Sequence, residues 1–287
     1  TAAVVEDATD NTASGTLAVS DVDGDDAPAF ADATIAPTTD VGTPNYGTFT
    51  IAANGNWTYT LNNSLDAVQA IDIGETLTDS YTFTAADNNG AVDHDVDQTV
   101  TVTILGTNDG PSITVPVVTP TPDLAYIEND TAQVIDSGIT LVDVDDTTGI
   151  DNVVVAVTSG FVKGDSESGT DGDILGVTVG STGITASYNA DGGVLTLTGG
   201  TQITAAMFQE VLRTVTFHSD SDDLTTNSGQ AALQERTVTW TVTDVEGTLD
   251  ATQTSTITIN EKKIIQLIKR ILIIFIFFIF MNLLMFI

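Results

Sequence analysis

The chain has 287 residues, of which 40 are acidic, seven are basic and none is cysteine. That length suits about two domains of roughly 100–150 residues, each large enough to bury its own core. The lack of cysteine excludes disulfides, zinc–thiolate sites and cysteine nucleophiles, and the carboxylate excess excludes nucleic acid, whose binding needs Lys and Arg on phosphates.

Thr, Val, Asp, Gly and Ala dominate. The β-branched residues favour strands and the small polar ones favour turns, which points to an all-β chain. Lys262, Lys263, Lys269 and Arg270 cluster near the C-terminus, leaving Lys163, Arg213 and Arg236 against nearly all the acids. So high a net charge favours disorder, but the regular apolar alternation of the chain opposes it. The sequence opens at Thr1 with no initiator Met or leader, and reads as a fragment or processed piece of a longer protein.

In the first half, short runs alternate with period two at intervals of about ten residues. "GTFTIA" aligns Phe49 and Ile51, "GNWTYTL" aligns Trp57, Tyr59 and Leu61, "DSYTFTA" aligns Tyr81 and Phe83, and "QTVTVTI" aligns Val100, Val102 and Ile104. Asn54-Gly55 between the first two runs signals a hairpin, and "SLDAVQAI" (64–71) signals a short helical turn. Pro116, Pro120 and Pro122 mark 112–122 as a stiff, extended linker. The second half repeats the strand habit: "NVVVAVTSG", "GITASYNA", "GVLTLTGG", "RTVTFHS", "ERTVTWTVTD" and "TSTITIN". "TAAMFQEVLRTV" (204–215) begins as a helix and runs into a strand. Trp57, Tyr59 and Trp240 alternate with Thr and read as core. Many short antiparallel strands in each half suggest two β-sandwiches in series.

The halves share punctuation more than sequence. Each opens on acidic residues ("VVEDAT", "YIENDT"), continues with an Asp-x-Asp turn ("SDVDGDD", "VDVDD"), and reaches an acidic turn before its last strand ("AADNNG", "VTDVEG"). This is a loose internal repeat. Clustered carboxylates repel by roughly 1–4 kcal/mol per pair at surface dielectrics. A divalent cation relieves that repulsion, and calcium accepts six to eight oxygens in flexible geometry. Asp, Asn and Gly are also the ordinary residues of turns, so the case rests on the recurrence. "DVDGDD" is not an EF-hand loop, because its Gly and Asp26 stand at the wrong positions.

The first half resembles the VCBS repeat of very large bacterial surface and secreted proteins. The likeness is carried by "VVEDAT", "SGTLAVSDVDGDD", "YGTFTIAANGNWTYTLNNSLDAVQAI", "GETLTDSYTFTAAD" and "TVTVTILGTNDGP". The second half is similar to a cadherin-like repeat found beside such modules in giant adhesins of the RTX type, through "IENDTAQVIDSGITLVDVDD", "ITASYNADGGVLTLTG", "FQEVLRTVTF" and "TVTWTVTDVEG". The resemblance implies tandem Ig-like or cadherin-like β-sandwiches, stiffened by calcium, in the stalk of an adhesin. It assigns Asn108 and Asp109 to an inter-domain linker, with Glu6, Asp7, Asp21, Asp23 and Asp87 as partners. In the second half it assigns Glu128, Asn129, Asp130, Asp143, Asp145, Asp244 and Glu246.

After Asn260 the acidic junction is replaced by "EKKIIQLIKR" and an apolar run from Ile271 to Met281. Three readings stand: a truncation or reading-frame interruption, a C-terminal membrane anchor, or a buried helix. The 264–287 stretch is long enough to span a bilayer. Its basic cluster, however, lies on the repeat side, opposite to the positive-inside expectation for an external stalk.

No catalytic constellation stands out. His94 and His218 are each flanked by Asp and lack metal-binding partners at helical spacing, and no nucleophile elbow or phosphate loop is present. The expected organisation is a VCBS-like sandwich at 1–111, a linker at 112–122, a cadherin-like sandwich at 123–260 and a basic, then hydrophobic tail at 261–287. The expected role is a non-enzymatic stalk or spacer of an extracellular or cell-surface bacterial adhesin. Its partners would be neighbouring repeats and a host or biofilm surface ligand, with membrane contact only through the tail. The alternatives are a glycan- or protein-binding module using loops 163–173 and 219–235, or a spacer of a secreted multidomain enzyme.

Overall fold

The computed structural model describes residues 1–20, 28–36, 45–86, 95–116, 122–145, 149–164, 172–200, 202–220, 235–245, 249–260 and 271–276. It divides into two compact units. One is Thr1–Asp109 with Val144–Thr147, and the other is Gly110–Asp143 with Thr148–Ile287. Each has its own apolar core.

The first unit contains β1 (Ala2–Val5), β2 (Thr12–Thr16), β3 (Ala29–Phe30), β4 (Ala33–Ile35), β5 (Gly47–Ile51), β6 (Asn56–Leu61), α1 (Asp66–Gln69), β7 (Thr76–Ala86) and β8 (Val96–Leu105). They form two four-stranded sheets, ordered β1-β8-β7-β3 and β2-β6-β5-β4. The alternation decides the faces. Phe49, Ile51, Trp57, Tyr59 and Leu61 turn inward from one sheet and meet Val4, Phe83, Val100, Val102 and Ile104 from the other. The threonines between them turn outward and pair across strands, as Thr50 with Thr58 at 2.6 Å and Thr82 with Thr99 at 2.8 Å. The hairpin expected at Asn54-Gly55 joins β5 to β6, and Gly55 takes a left-handed φ of 80° that its lack of a Cβ permits. Among the described residues of this unit every pairing is antiparallel except β1 with β8.

The second unit contains β9 (Ser112–Thr114), β10 (Leu124–Ile127), β11 (Gln133–Val134), β12 (Thr140–Val142), β13 (Ile150–Ser159), β14 (Asp173–Gly176), β15 (Thr185–Asn189), β16 (Val194–Thr198), α2 (Ala205–Leu212), β17 (Thr216–Ser219), β18 (Glu235–Asp244) and β19 (Asp250–Asn260). A six-stranded sheet, β10-β19-β18-β13-β16-β15, shares its core with the three-stranded β11-β17-β14 and the pair β12-β9. Trp240 lies at the centre, fully buried, and its indole N–H donates to Ser255 Oγ at 2.9 Å. α2 is the helix expected from "TAAMFQEVL": Thr204 caps it by accepting from Met207 N, and Ala205, Phe208, Val211 and Leu212 are buried. β10 runs parallel to β19, repeating the β1–β8 arrangement.

The stretch expected to be a linker is different at its start. Ser112–Thr114 form a ladder with β12, because these three residues precede Pro116 and keep their amides for pairing. Residues 117–121 lie outside the described residues, as do most of the loops 163–173 and 219–235. In the tail, 271–276 are helical with every side chain between 54% and 67% exposed. Among the described residues no helix is long and apolar enough to cross a membrane, and 261–270 and 277–287 lie outside them.

Candidate metal centre

The β1–β8 register brings the first candidate carboxylates together. Val5 stands opposite Leu105, and the Glu6 amide donates to the Leu105 carbonyl at 3.0 Å. Glu6 is therefore held one step beyond the strand, with 0% of its surface exposed. Its Oε1 accepts from the Thr107 amide at 2.7 Å, whereas its Oε2 is buried with no hydrogen-bond partner among the described residues. The segment after β8 passes close to the turn before β7. Gly106 N donates to Glu75 O at 3.1 Å, and a Cβ on Gly106 would lie 2.2 Å from Asp72 O. Only glycine fits there, and the next three residues are thereby aimed past Glu6.

Asp109 follows. Its amide donates to Asp145 Oδ2 at 2.8 Å, and its own Oδ2 is a second buried oxygen without a partner. Asp145 is itself buried. Asp7 sits at the edge in a left-handed conformation, φ 53°, with its carboxylate Oδ1 bound by the side-chain amides of Asn63 and Gln69.

The electrostatics follow from this geometry. Burial pushes Glu6 up to about 7, repulsion from Asp109, Asp7 and Asp145 adds to the rise, and the Thr107 amide opposes it. Burial likewise pushes Asp109 up to about 6, helped by the neighbouring carboxylate of Asp7 and by the charge of Asp145. Asp7 moves the other way, held low first by Asn63 and then by Gln69. Without a counter-cation, the buried carboxylates shed charge by taking up protons. The donors are all hard oxygens. Among the described residues, no three acidic or histidine side chains are gathered closely enough to form a ready metal cage. The cluster is a convergence of carboxylates that a cation would have to draw in.

The sequence grouping is revised at one point: Asp145, expected in the second set, lies with Glu6 and Asp109, while Asp143 belongs to the second unit. Asn108 stands between Thr107 and Asp109 on the same segment. Asp21, Asp23, Asp87 and Glu246 lie outside the described residues, as does His94. In the second unit the backbone of Glu6 and Asp7 is repeated by Glu128 and Asn129. Glu128 is buried, its amide donates to Asn260 O at 3.0 Å, and Asn129 has φ 58°. The Asp130 carbonyl accepts from Tyr126 Oη, and Asp244 is buried at the end of β18. His218 lies against Tyr126, ring centroids 6.4 Å apart. Sequence reasoning missed Asn63 and Gln69, although "LNNSLDAVQ" contains them, and missed the buried pairing of Arg236 with Asp173.

Residues 1–106 match the bacterial cadherin-like domain family. Among solved structures, the chain is similar to Drosophila N-cadherin EC1-4 at 16% identity and TM-score 0.29, covering 90% of this chain and 47% of that one. It is similar to mouse Protocadherin-24 EC1-3 at 16% identity and TM-score 0.29, covering 82% and 58%. A third likeness, to the BspA C-terminal domain of the Streptococcus agalactiae AgI/II polypeptide, has 11% identity and TM-score 0.23, covering 71% and 62%. The chain thus spans less than two thirds of each. No curated protein matches it.

Proposed function

We propose that this chain is a length of calcium-stiffened stalk from a large bacterial surface or secreted adhesin, a spacer that carries adhesion rather than an enzyme. The first unit reads as a VCBS module and the second as a cadherin-like repeat of an RTX-type adhesin, extracellular and associated with biofilm or host surfaces. Neighbouring repeats of the same chain are its principal partners. The observation that carries this reading is Glu6: a fully buried carboxylate with an orphan oxygen, beside the orphan oxygen of Asp109 and the buried Asp145.

The donor set fits calcium. It offers carboxylate oxygens that are not set out in a regular cage, which calcium's flexible coordination tolerates and magnesium's near-octahedral demand does not. Glu6, Asp109 and Asp145 would hold the ion, with Asp7 and Asn108 at its edge. A bound calcium would supply the positive charge that these carboxylates lack and so favour their ionised forms. Glu6 and Asp109 then fix the segment after β8 against the end of β1, where otherwise they repel. Extracellular sites of this class bind at about 10⁻⁴–10⁻³ M, so millimolar calcium outside the cell would load them.

A thermal melt across a calcium titration, with magnesium as control, tests the reading. The expected result is a calcium-specific rise in melting temperature that follows RT ln(1 + [L]/Kd). A melt unchanged by calcium would reduce the acidic residues to turn formers. The rival reading, a glycan-binding module, has one observation behind it. This is a shallow concavity of about 500 Å³ on β4–β6, lined by polar residues such as Asp32, Thr50 and Asn56 and by apolar Ala33, Ile51 and Ala52. Glycan capture that survives chelation would favour it. A spacer of a secreted multidomain enzyme would show neither glycan capture nor surface adhesion.

A further inference from the structure

Among the described residues of the first unit, helix occurs only in α1, and its place in the chain has a consequence for the acidic cluster. Asn62 makes the turn out of β6: its Oδ1 accepts from the amide and the hydroxyl of Ser64, and its own amide donates to Tyr46 O. Val68, fully buried, then anchors α1 in the core. These two residues fix the directions of Asn63 and Gln69, which both reach Asp7. Asn63 closes a reciprocal pair, with Oδ1 accepting from the Asp7 amide at 2.9 Å and Nδ2 donating to Asp7 Oδ1. Gln69 Nε2 donates to the same Oδ1 at 3.1 Å. Both amides occupy one carboxylate oxygen, and the charge of Asp7, next in the chain to Glu6, acts on Glu6 and Asp109.

We propose that Asn63 and Gln69 are positioning residues of the cation site: their amides pin one oxygen of Asp7 and so fix its carboxylate next to Glu6, at the edge of the Glu6–Asp109–Asp145 cluster. The inference rests on the calcium reading above. It explains why a sandwich built on alternating strands interrupts itself with a helical turn between β6 and β7. The turn delivers two donors to a residue more than fifty positions earlier. The left-handed backbone at Asp7, unusual for a non-glycine residue, is held by the same contact, because its N–H is bound to Asn63.

The test uses the full chain with Gln69→Met, which removes one exposed hydrogen bond and keeps the side-chain length, and with Asn63→Leu. Calcium affinity is read by calorimetry, calcium-free stability by melting in chelator, and the side-chain amides of Asn63 and Gln69 by nitrogen-15 NMR. The expected result is calcium binding weakened on the order of 10-fold by Gln69→Met, with little change of the chelator melt. In the unaltered chain both primary-amide signals shift when calcium is added. Gln69→Met remains informative should Asn63→Leu not fold. Unchanged calcium affinity in the variants, or amide signals that stay still, would overturn the inference while leaving the calcium reading intact. An unaltered chain that binds no calcium would overturn both.

Discussion

Arg236 donates through Nε to Asp173 Oδ2 at 2.6 Å and through Nη2 to Asp173 Oδ1 at 3.3 Å, and neither side chain has any exposed surface. The pair ties β18 of the six-stranded sheet to β14 of the three-stranded one. Asp173 Oδ2 also accepts from Val162 N at 2.8 Å. Removing one partner leaves a buried, uncompensated charge, at a cost of about 3–5 kcal/mol. Arg236→Met is expected to lower the melting temperature of the second unit sharply. Adding Asp173→Leu should restore much of the loss, because two apolar side chains replace a buried pair at little net cost. Calorimetry of the two variants checks the order.

At Glu6, substitution should act in opposite directions with and without calcium. In chelator at pH 8, Glu6→Gln removes a buried charge, so the first unit should melt higher than the unaltered one. In millimolar calcium the same substitution would remove a proposed ligand, and the first unit should melt lower. A shift of equal sign and size in both media would assign Glu6 to packing alone.

Protons should substitute for the cation. Glu6 and Asp109 are raised in the folded state, so their unfolded forms ionise first. Stability is fully present below the ordinary carboxylate range and is lost as pH rises toward about 7 for Glu6 and about 6 for Asp109. In chelator the first unit should therefore melt higher at pH 4.5 than at pH 8. Saturating calcium should flatten or reverse that slope, and calcium affinity should fall as pH drops below 7.

The β5–β6 pairing tolerates no side chain at its first position. A Cβ on Gly47 would stand 2.4 Å from Tyr59 Cζ and 2.5 Å from Thr60 O. Tyr59 cannot step aside, because its hydroxyl donates to the buried Asp79 at 3.0 Å, and Asp79 also accepts from the amides of Tyr46 and Gly47. Gly47→Ala is expected to cost about 1–3 kcal/mol, read as a lower urea midpoint for the first unit.

The strands were legible because Thr and apolar residues alternate without interruption, as in Trp57, Tyr59 and Leu61, all buried. α2 was legible from its spacing and from Thr204 before it. What stayed hidden depends on register or distance. Glu6 and Asp109 meet because β1 lies parallel to β8, and a periodic pattern says nothing of which strand neighbours which. Asp145 could not be assigned from its Asp-x-Asp turn, since a carboxylate that accepts an amide 36 residues away leaves no local trace. Arg236 and Asp173 are separated by 63 residues, and neither is apolar, so hydrophobic pattern reasoning places both at the surface. The strand Ser112–Thr114 was masked by its prolines, which flank the ladder rather than interrupt it.

The parallel pairing of β1 with β8, and of β10 with β19, also determines how each unit carries tension. β1 is zipped along its length to β8 and β10 to β19, four residues against four, with both strands of each pair running the same way. A pull on the start of one strand and the end of its partner slides the two past each other. The ladder bonds are then loaded together in shear, instead of being opened one by one as at the end of an antiparallel hairpin. In the first unit the first and last strands are thus joined in the direction in which a pull on the start of one and the end of the other would load them.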